Sequence, residues 1–159
     1  MTQLTFITVG TLKEDYLKAA VGEYRKRLSQ FGKVEQINLK EELIKNEDDK
    51  SEIAKALGIE GEKILAAIPK GAYKIALCVE GKELSSPELA NLLLKAQDEK
   101  GKIAFIIGSS YGLSPEVKQA ADFKLSLSKL TFPHQLMRVI LSETVYRSFT
   151  IIAGKRYHK

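Results

Sequence analysis

A single cysteine, Cys78, stands in the 159 residues, so no internal disulfide can form and a reducing cytoplasm is the natural setting. No apolar run approaches the roughly 20 residues that span a bilayer, and the longest, such as Ile103–Ile107, suit a buried strand. The amino terminus has no basic stretch ahead of an apolar core, so no secretory leader is expected. Common α/β signatures are missing too. Only Gly10 follows the first apolar run, so the G-x-G-x-x-G of an ordinary dinucleotide site is absent, as is the phosphate-cradling G-x-x-x-x-G-K-[ST]. No G-x-S-x-G nucleophile elbow occurs. One cysteine and two histidines give no zinc-ligand spacing, and no metal is expected. Internal repeats and low-complexity linkers are lacking.

What is present suits one domain over 1–159: 44% hydrophobic residues for a core and 28% charged residues for a surface. Charge is unevenly placed. Residues 118–159 carry eight Lys and Arg against two acids, whereas 1–117 carry 17 bases against 18 acids. A localised basic excess is the footprint of a phosphate-rich partner, or else a solvated face with no partner.

Apolar runs alternate with helical patterns. Strands are predicted at Leu4–Val9, Val34–Leu39, Tyr73–Val79, Ile103–Ile107 and Phe123–Leu127. Helices are predicted over Lys13–Gln30, Asp48–Ile68 (with Gly58 and Gly61 as possible breaks), Ser86–Glu99 capped by Ser86, Pro115–Ala121 capped by Ser114, and Pro133–Ile152 with Thr131 as a possible cap. The alternation implies an α/β fold: a mostly parallel sheet with helices on both faces. Ligands of such sheets bind beyond the carboxyl ends of the strands, which draws notice to the loops after Val79, Ile107 and Leu127.

Four segments carry chemistry. In Ile106-Ile-Gly-Ser-Ser-Tyr-Gly-Leu-Ser-Pro115, a buried strand runs into Gly108, Ser109 and Gly112, where backbone can approach a ligand closely; an ordinary strand-to-helix turn would look similar. Leu125-Ser-Leu-Ser-Lys-Leu-Thr-Phe-Pro-His134 interleaves hydroxyls and backbone amides with apolar Leu130 and Phe132, a mixture suited to the faces and edge of an adenine ring. The helix from Pro133 is apolar on more than one face, which predicts a subunit interface, because a C-terminal helix is rarely central in so small a domain. Its Glu143 and Arg147 are spaced to pair, while Arg138 and Arg147 are candidates for RNA phosphates. The tail Lys155-Arg-Tyr-His-Lys159 is either frayed or functional: Tyr157 can stack on a base, His158 can exchange a proton, and Lys155, Arg156 and Lys159 can hold phosphates. Cys78 reads as packing and His134 as a helix-start residue.

Taken together, Ile107-Gly108, Gly112-Leu113, Leu125-Ser-x-Ser-Lys-x-Thr-Phe-Pro-His134, Arg138, Glu143, Tyr146-Arg147 and Tyr157-His158 resemble the small ribosomal large-subunit pseudouridine N3-methyltransferases of the SPOUT superfamily. Phe6–Gly10 followed by Leu12-Lys13 fits as well, so the likeness runs along nearly the whole chain. The resemblance implies a C-terminal trefoil knot, a homodimer, and S-adenosylmethionine (SAM) as methyl donor. It implies donor contacts from Leu77, Gly108 and the loop Leu127, Ser128, Lys129, Leu130, Thr131 and Phe132. The implied product is N3-methylpseudouridine in 23S rRNA, within the large subunit or assembled ribosome. Ser109 departs from the family, which usually has a second glycine there. If that position needs a positive φ, the serine costs about a kcal/mol or more. Three other readings stay open: a SPOUT methyltransferase acting on another RNA, a non-catalytic RNA-binding module for ribosome assembly, and a small-nucleotide-binding α/β domain with no salt-sensitive RNA affinity.

Overall fold

Ile103, Phe105 and Ile107 point to one side of their strand and Ala104 and Ile106 to the other, and none of the five is more than 5% exposed. A strand apolar on both faces must be covered on both faces. The computed structural model, which describes residues 1–159, shows how. Strands β1 (Thr2–Val9), β2 (Gly32–Leu39), β3 (Tyr73–Glu83), β4 (Lys102–Ile107) and β5 (Phe123–Ser126) form one sheet. Helices α1 (Asp15–Leu28), α2 (Lys50–Ala67), α3 (Ser86–Lys100), α4 (Pro115–Ala120) and α5 (His134–Ile152) connect and cover them. The strand order is β2-β1-β4-β3-β5 and every pairing is parallel. On one face Leu4, Phe6, Ile75, Phe105 and Leu125 pack with Leu28 of α1, Leu93 of α3 and Leu141, Val145 and Phe149 of α5. On the other, Ile7, Val9, Ala76 and Ile106 pack with Ile64 of α2 and Val117 of α4.

Several expectations shift. Ser85, not Ser86, caps α3: its hydroxyl accepts from Glu88 N at 3.2 Å while Glu88 Oε1 accepts from Ser85 N at 2.8 Å, a reciprocal capping box. Helix α2 runs unbroken through Gly58 and Gly61, capped by Asp49. Gly61 is there for packing, since a Cβ would lie 2.4 Å from Ser114 Oγ. Pro133, without a side-chain cap, precedes α5, so Thr131 does not cap it. Helix α5 is central on its own face, between α1 and α3, which accounts for much of the apolar surface that its sequence assigned to a partner subunit. Strand β3 extends to Glu83 and not Val79. Leu77 and Lys82 both stand opposite Leu125, so Cys78–Gly81 bulge out between them. Glycine at 81 permits the strands to rejoin, because a Cβ there would meet the Lys124 carbonyl oxygen at 2.7 Å.

Candidate active site

That bulge and the exits of β4 and β5 enclose a cleft of about 320 Å³ at the carboxyl edge of the sheet. Leu77 and Cys78–Glu80 come from β3, Ile107–Leu113 from the glycine turn, and Leu125–Ser128 with Leu130, Thr131 and Phe132 from the loop after β5. Of the residues singled out for the donor, Leu77, Gly108, Ser109, Gly112, Leu127, Ser128, Leu130, Thr131 and Phe132 line the cleft; Lys129 does not. The turn is tight. A Cβ on Gly108 would lie 2.1 Å from the Gly112 carbonyl oxygen, and Gly112 has φ +94°, so both positions require glycine. Ser109 is different: no non-glycine residue has positive φ, so serine is unstrained there. Its carbonyl accepts from Gly112 N at 2.9 Å and its hydroxyl accepts from Tyr111 N at 3.3 Å. The second wall is shaped by its own hydroxyls. Ser126 Oγ donates to the Ser128 carbonyl at 3.0 Å, and Ser128 Oγ accepts from Leu130 N at 2.9 Å. Leu130 and Val79, each 69% exposed, stand apolar at the rim.

Sequence reasoning missed His134, Met137, Tyr111 and the Lys118–Glu80 ion pair, all of which border the cleft. His134 had one available signal: it opens the helix directly after the predicted loop, so its first turn faces that loop. Burial, then the charge of Arg138, holds its imidazole below the usual value, partly offset by Glu41.

Arg138 is not on an RNA-facing surface. It is 3% exposed, and its Nη2 donates to the carbonyls of Val9 at 2.7 Å and Gly10 at 3.0 Å. It ties α5 to the carboxyl end of β1. Arg147 pairs with Glu143 as the spacing predicted, at 2.6 Å and 3.0 Å. The tail folds back onto this pair. The Tyr157 hydroxyl donates to Glu143 Oε1 at 3.2 Å, its ring meets Tyr146 edge-on at 4.9 Å, and the Arg147 guanidinium lies 4.8 Å from its centroid. Burial first, then the Glu143 charge, pushes the Tyr157 phenol up to about 12. Arg147 Nη1 lies 3.3 Å from His158 Nδ1. Lys155 contacts Gln30 and lies 5.1 Å from the Phe31 centroid, while Arg156 and Lys159 are exposed. None of these tail residues lines the cleft.

The fold is shared with known methyltransferase structures. A probable methyltransferase from Bordetella pertussis superposes with a TM-score of 0.54 over 92% of this chain and 96% of that one, at 16% identity. A tRNA (m1G37) methyltransferase from Aquifex aeolicus gives 0.54 over 91% and 69%, also at 16% identity. At that identity the likeness establishes the fold alone. Residues 2–158 match the family model described as "Predicted SPOUT methyltransferase", and the chain belongs to the SPOUT methyltransferase family. Among its relatives, a protein from Caldicellulosiruptor bescii named ribosomal RNA large subunit methyltransferase H is 49% identical over 156 residues, 98% of this chain and 99% of the relative. Proteins of the same name from Streptococcus agalactiae and Bacillus pumilus are 46% identical, covering 99% and 98% of this chain and 99% of each relative. No helix is long and apolar enough to cross a membrane.

Proposed function

We propose that the chain transfers a methyl group from SAM to N3 of a pseudouridine in 23S rRNA of the large ribosomal subunit, acting as a cytoplasmic homodimer. The observation that carries this reading is the position of Leu125–Phe132: the stretch most specific to the resembled family is one wall of the cleft. The residues fit the donor. Leu77, Leu127, Leu130 and Phe132 offer apolar walls to an adenine, and the closed backbone turns after β4 and β5 offer its edges hydrogen bonds. Membership of the SPOUT family supports a C-terminal knot, and Arg138 fastens α5 to the end of β1.

When bound, the donor supplies a methyl on a positively charged sulfur. The chain must hold the acceptor N3 in line with it and manage the N3 proton. We assign Tyr157 and His158 to that task, with Arg147, Lys155, Arg156 and Lys159 toward phosphates. From His134 in the cleft to Arg147 beneath the tail is about 20 Å at 1.5 Å per helical residue, so a protomer's own tail stands far from its own cleft. A second protomer's tail completes the site, which makes the dimer a requirement of the chemistry. An arginine can only donate, so its contact with Nδ1 leaves the neutral His158 ring with its proton on Nε2. In that state His158 donates to a carbonyl of the pyrimidine. Accepting the N3 proton requires the ring to leave Arg147.

Calorimetric titration with SAM, and mass spectrometry of rRNA nucleosides from cells with and without the protein, test the reading. SAM binding with loss of N3-methylpseudouridine is expected. Binding without that loss moves the activity to another RNA, and no binding ends the enzyme reading.

A further inference from the structure

Two cations of the basic last quarter of the chain are spent inside the fold: Arg138 on backbone carbonyls and Lys118 on Glu80. Others lie at the far end of α5 and in the tail, and the fold brings a second basic segment to them. Helix α1 ends in Arg25-Lys26-Arg27. Arg25 turns inward, its guanidinium 3.9 Å from the Phe6 centroid. Lys26 and Arg27 are exposed. Arg27 has Glu23 at 3.0 Å, a solvent-exposed pair that holds it only weakly.

The tail is laid onto this turn. Lys155 Nζ donates to Gln30 and lies 5.1 Å from the ring of Phe31, just beyond α1. Arg27 stands 5.4 Å from the Tyr24 centroid and 5.8 Å from that of Tyr146. Tyr146 in turn meets Tyr24 and Phe31 at 6.2 Å and Tyr157 at 4.9 Å. Half-buried aromatic rings therefore make a floor, with Arg27, Arg147 and Lys155 over it. Lys26, Arg27, Arg147, Lys155, Arg156 and Lys159 stand here against Glu23 and Glu143, which leaves four of the chain's net charge of +5 at this end. Gathering like charges costs the free protein self-repulsion, which an anionic partner relieves. Cations set over aromatic rings suit RNA, with phosphates on the cations and bases against the rings.

We propose that the last turn of α1 belongs to the RNA-binding surface: Lys26 and Arg27 hold phosphates of the strand that flanks the nucleotide handled by the tail. Because this turn travels with the tail, it serves RNA lying over the other protomer's cleft. The inference rests on the rRNA reading above and adds to it a segment from the opposite end of the chain.

The test is binding to large ribosomal subunits that lack the modification, measured over a series of salt concentrations. Lys26→Gln combined with Arg27→Gln should weaken binding about ten-fold at low salt and lower the salt slope by about two, one phosphate per cation. The Kd for SAM should stay within about two-fold of the parent, and the oligomeric state should not change. The same changes at Lys50 and Lys55, exposed on α2 over the opposite face of the sheet, should leave the slope nearly as it was. An unchanged slope, an equal fall in the α2 variant, or a loss that comes only with dissociation of a dimer would each overturn the proposal. So would a parent that prefers phosphatidylglycerol vesicles to the subunits and a variant that loses only the vesicles, which assigns the surface to a membrane. If the double variant does not fold, Lys26→Gln alone decides: a slope lower by about one supports the proposal and an unchanged slope overturns it. A parent with no affinity for the subunits removes the functional reading and this inference together. A parent that binds them, with an indifferent variant, removes this inference alone.

Discussion

Replacing Arg138 with methionine separates two roles that the same residue type serves equally well on paper. The substitution keeps the length and apolar stem of the side chain and deletes two charge-assisted hydrogen bonds, to the carbonyls of Val9 and Gly10. Each strand-end carbonyl left dry costs about 1–3 kcal/mol. Against that stands relief from burying a guanidinium whose Nε has no partner. The net loss should be about 2–4 kcal/mol, out of the 5–15 kcal/mol that holds a domain folded. In a chain of this length that lowers Tm by roughly 5–12 °C. Calorimetric or fluorescence melting reads it directly. SAM affinity should fall as well, because Arg138 fastens the end of α5 that brings His134 and Met137 to the cleft. Arg138→Lys should be intermediate, since an ammonium replaces the planar fork with a point charge. An unchanged Tm, together with an RNA affinity whose salt dependence drops by about one phosphate, would refute the anchoring role and return Arg138 to the RNA.

Gly108→Ala should weaken SAM binding by about ten-fold or more, with a lowered Tm, because its Cβ would strike the Gly112 carbonyl oxygen and the turn itself must open; titration at unchanged affinity would contradict this. Arg147→Met releases Glu143, Tyr157 and His158 at once. Turnover should fall far more than SAM affinity, and equal losses in both would argue against a tail that serves the acceptor side. The depressed His134 supplies a pH test. The unfolded chain takes up that proton at a higher pH than the folded one, so its contribution to stability is complete above the unfolded value and fades as pH falls. Between about pH 7 and pH 5 the parent should lose stability more steeply than His134→Gln, and parallel losses would show that His134 carries no such linkage.

The strands and helices were legible because their determinants are local. Periodicity marks every element, and Pro87, Pro115 and Pro133 mark three helix starts to within a residue or two. The cleft wall after β5 was legible for another reason: Leu125–His134 is an unusual string that reads as a unit without knowledge of its surroundings. The misplacements were those in which a residue's partner lies far along the chain. Ser85 and Ser86 are equally good caps until Glu88 selects one. Arg138 reads as a surface cation until β1, about 130 residues earlier, supplies carbonyls for it.

By itself, then, the amino-acid order determined the alternation of elements, which implies a parallel sheet, and the family and the composition of the cleft walls, since each is written in residues that lie close together along the chain. Only the tertiary structure decided that β3 bulges beside the cleft, that Gly61 packs against Ser114, and that Arg138 is an internal tie. It also decided that the tail lies about 20 Å along α5 from its own cleft. Those outcomes depend on which segments meet across the sheet, and that pairing is set by global packing and threading, for which a linear pattern holds no local sign.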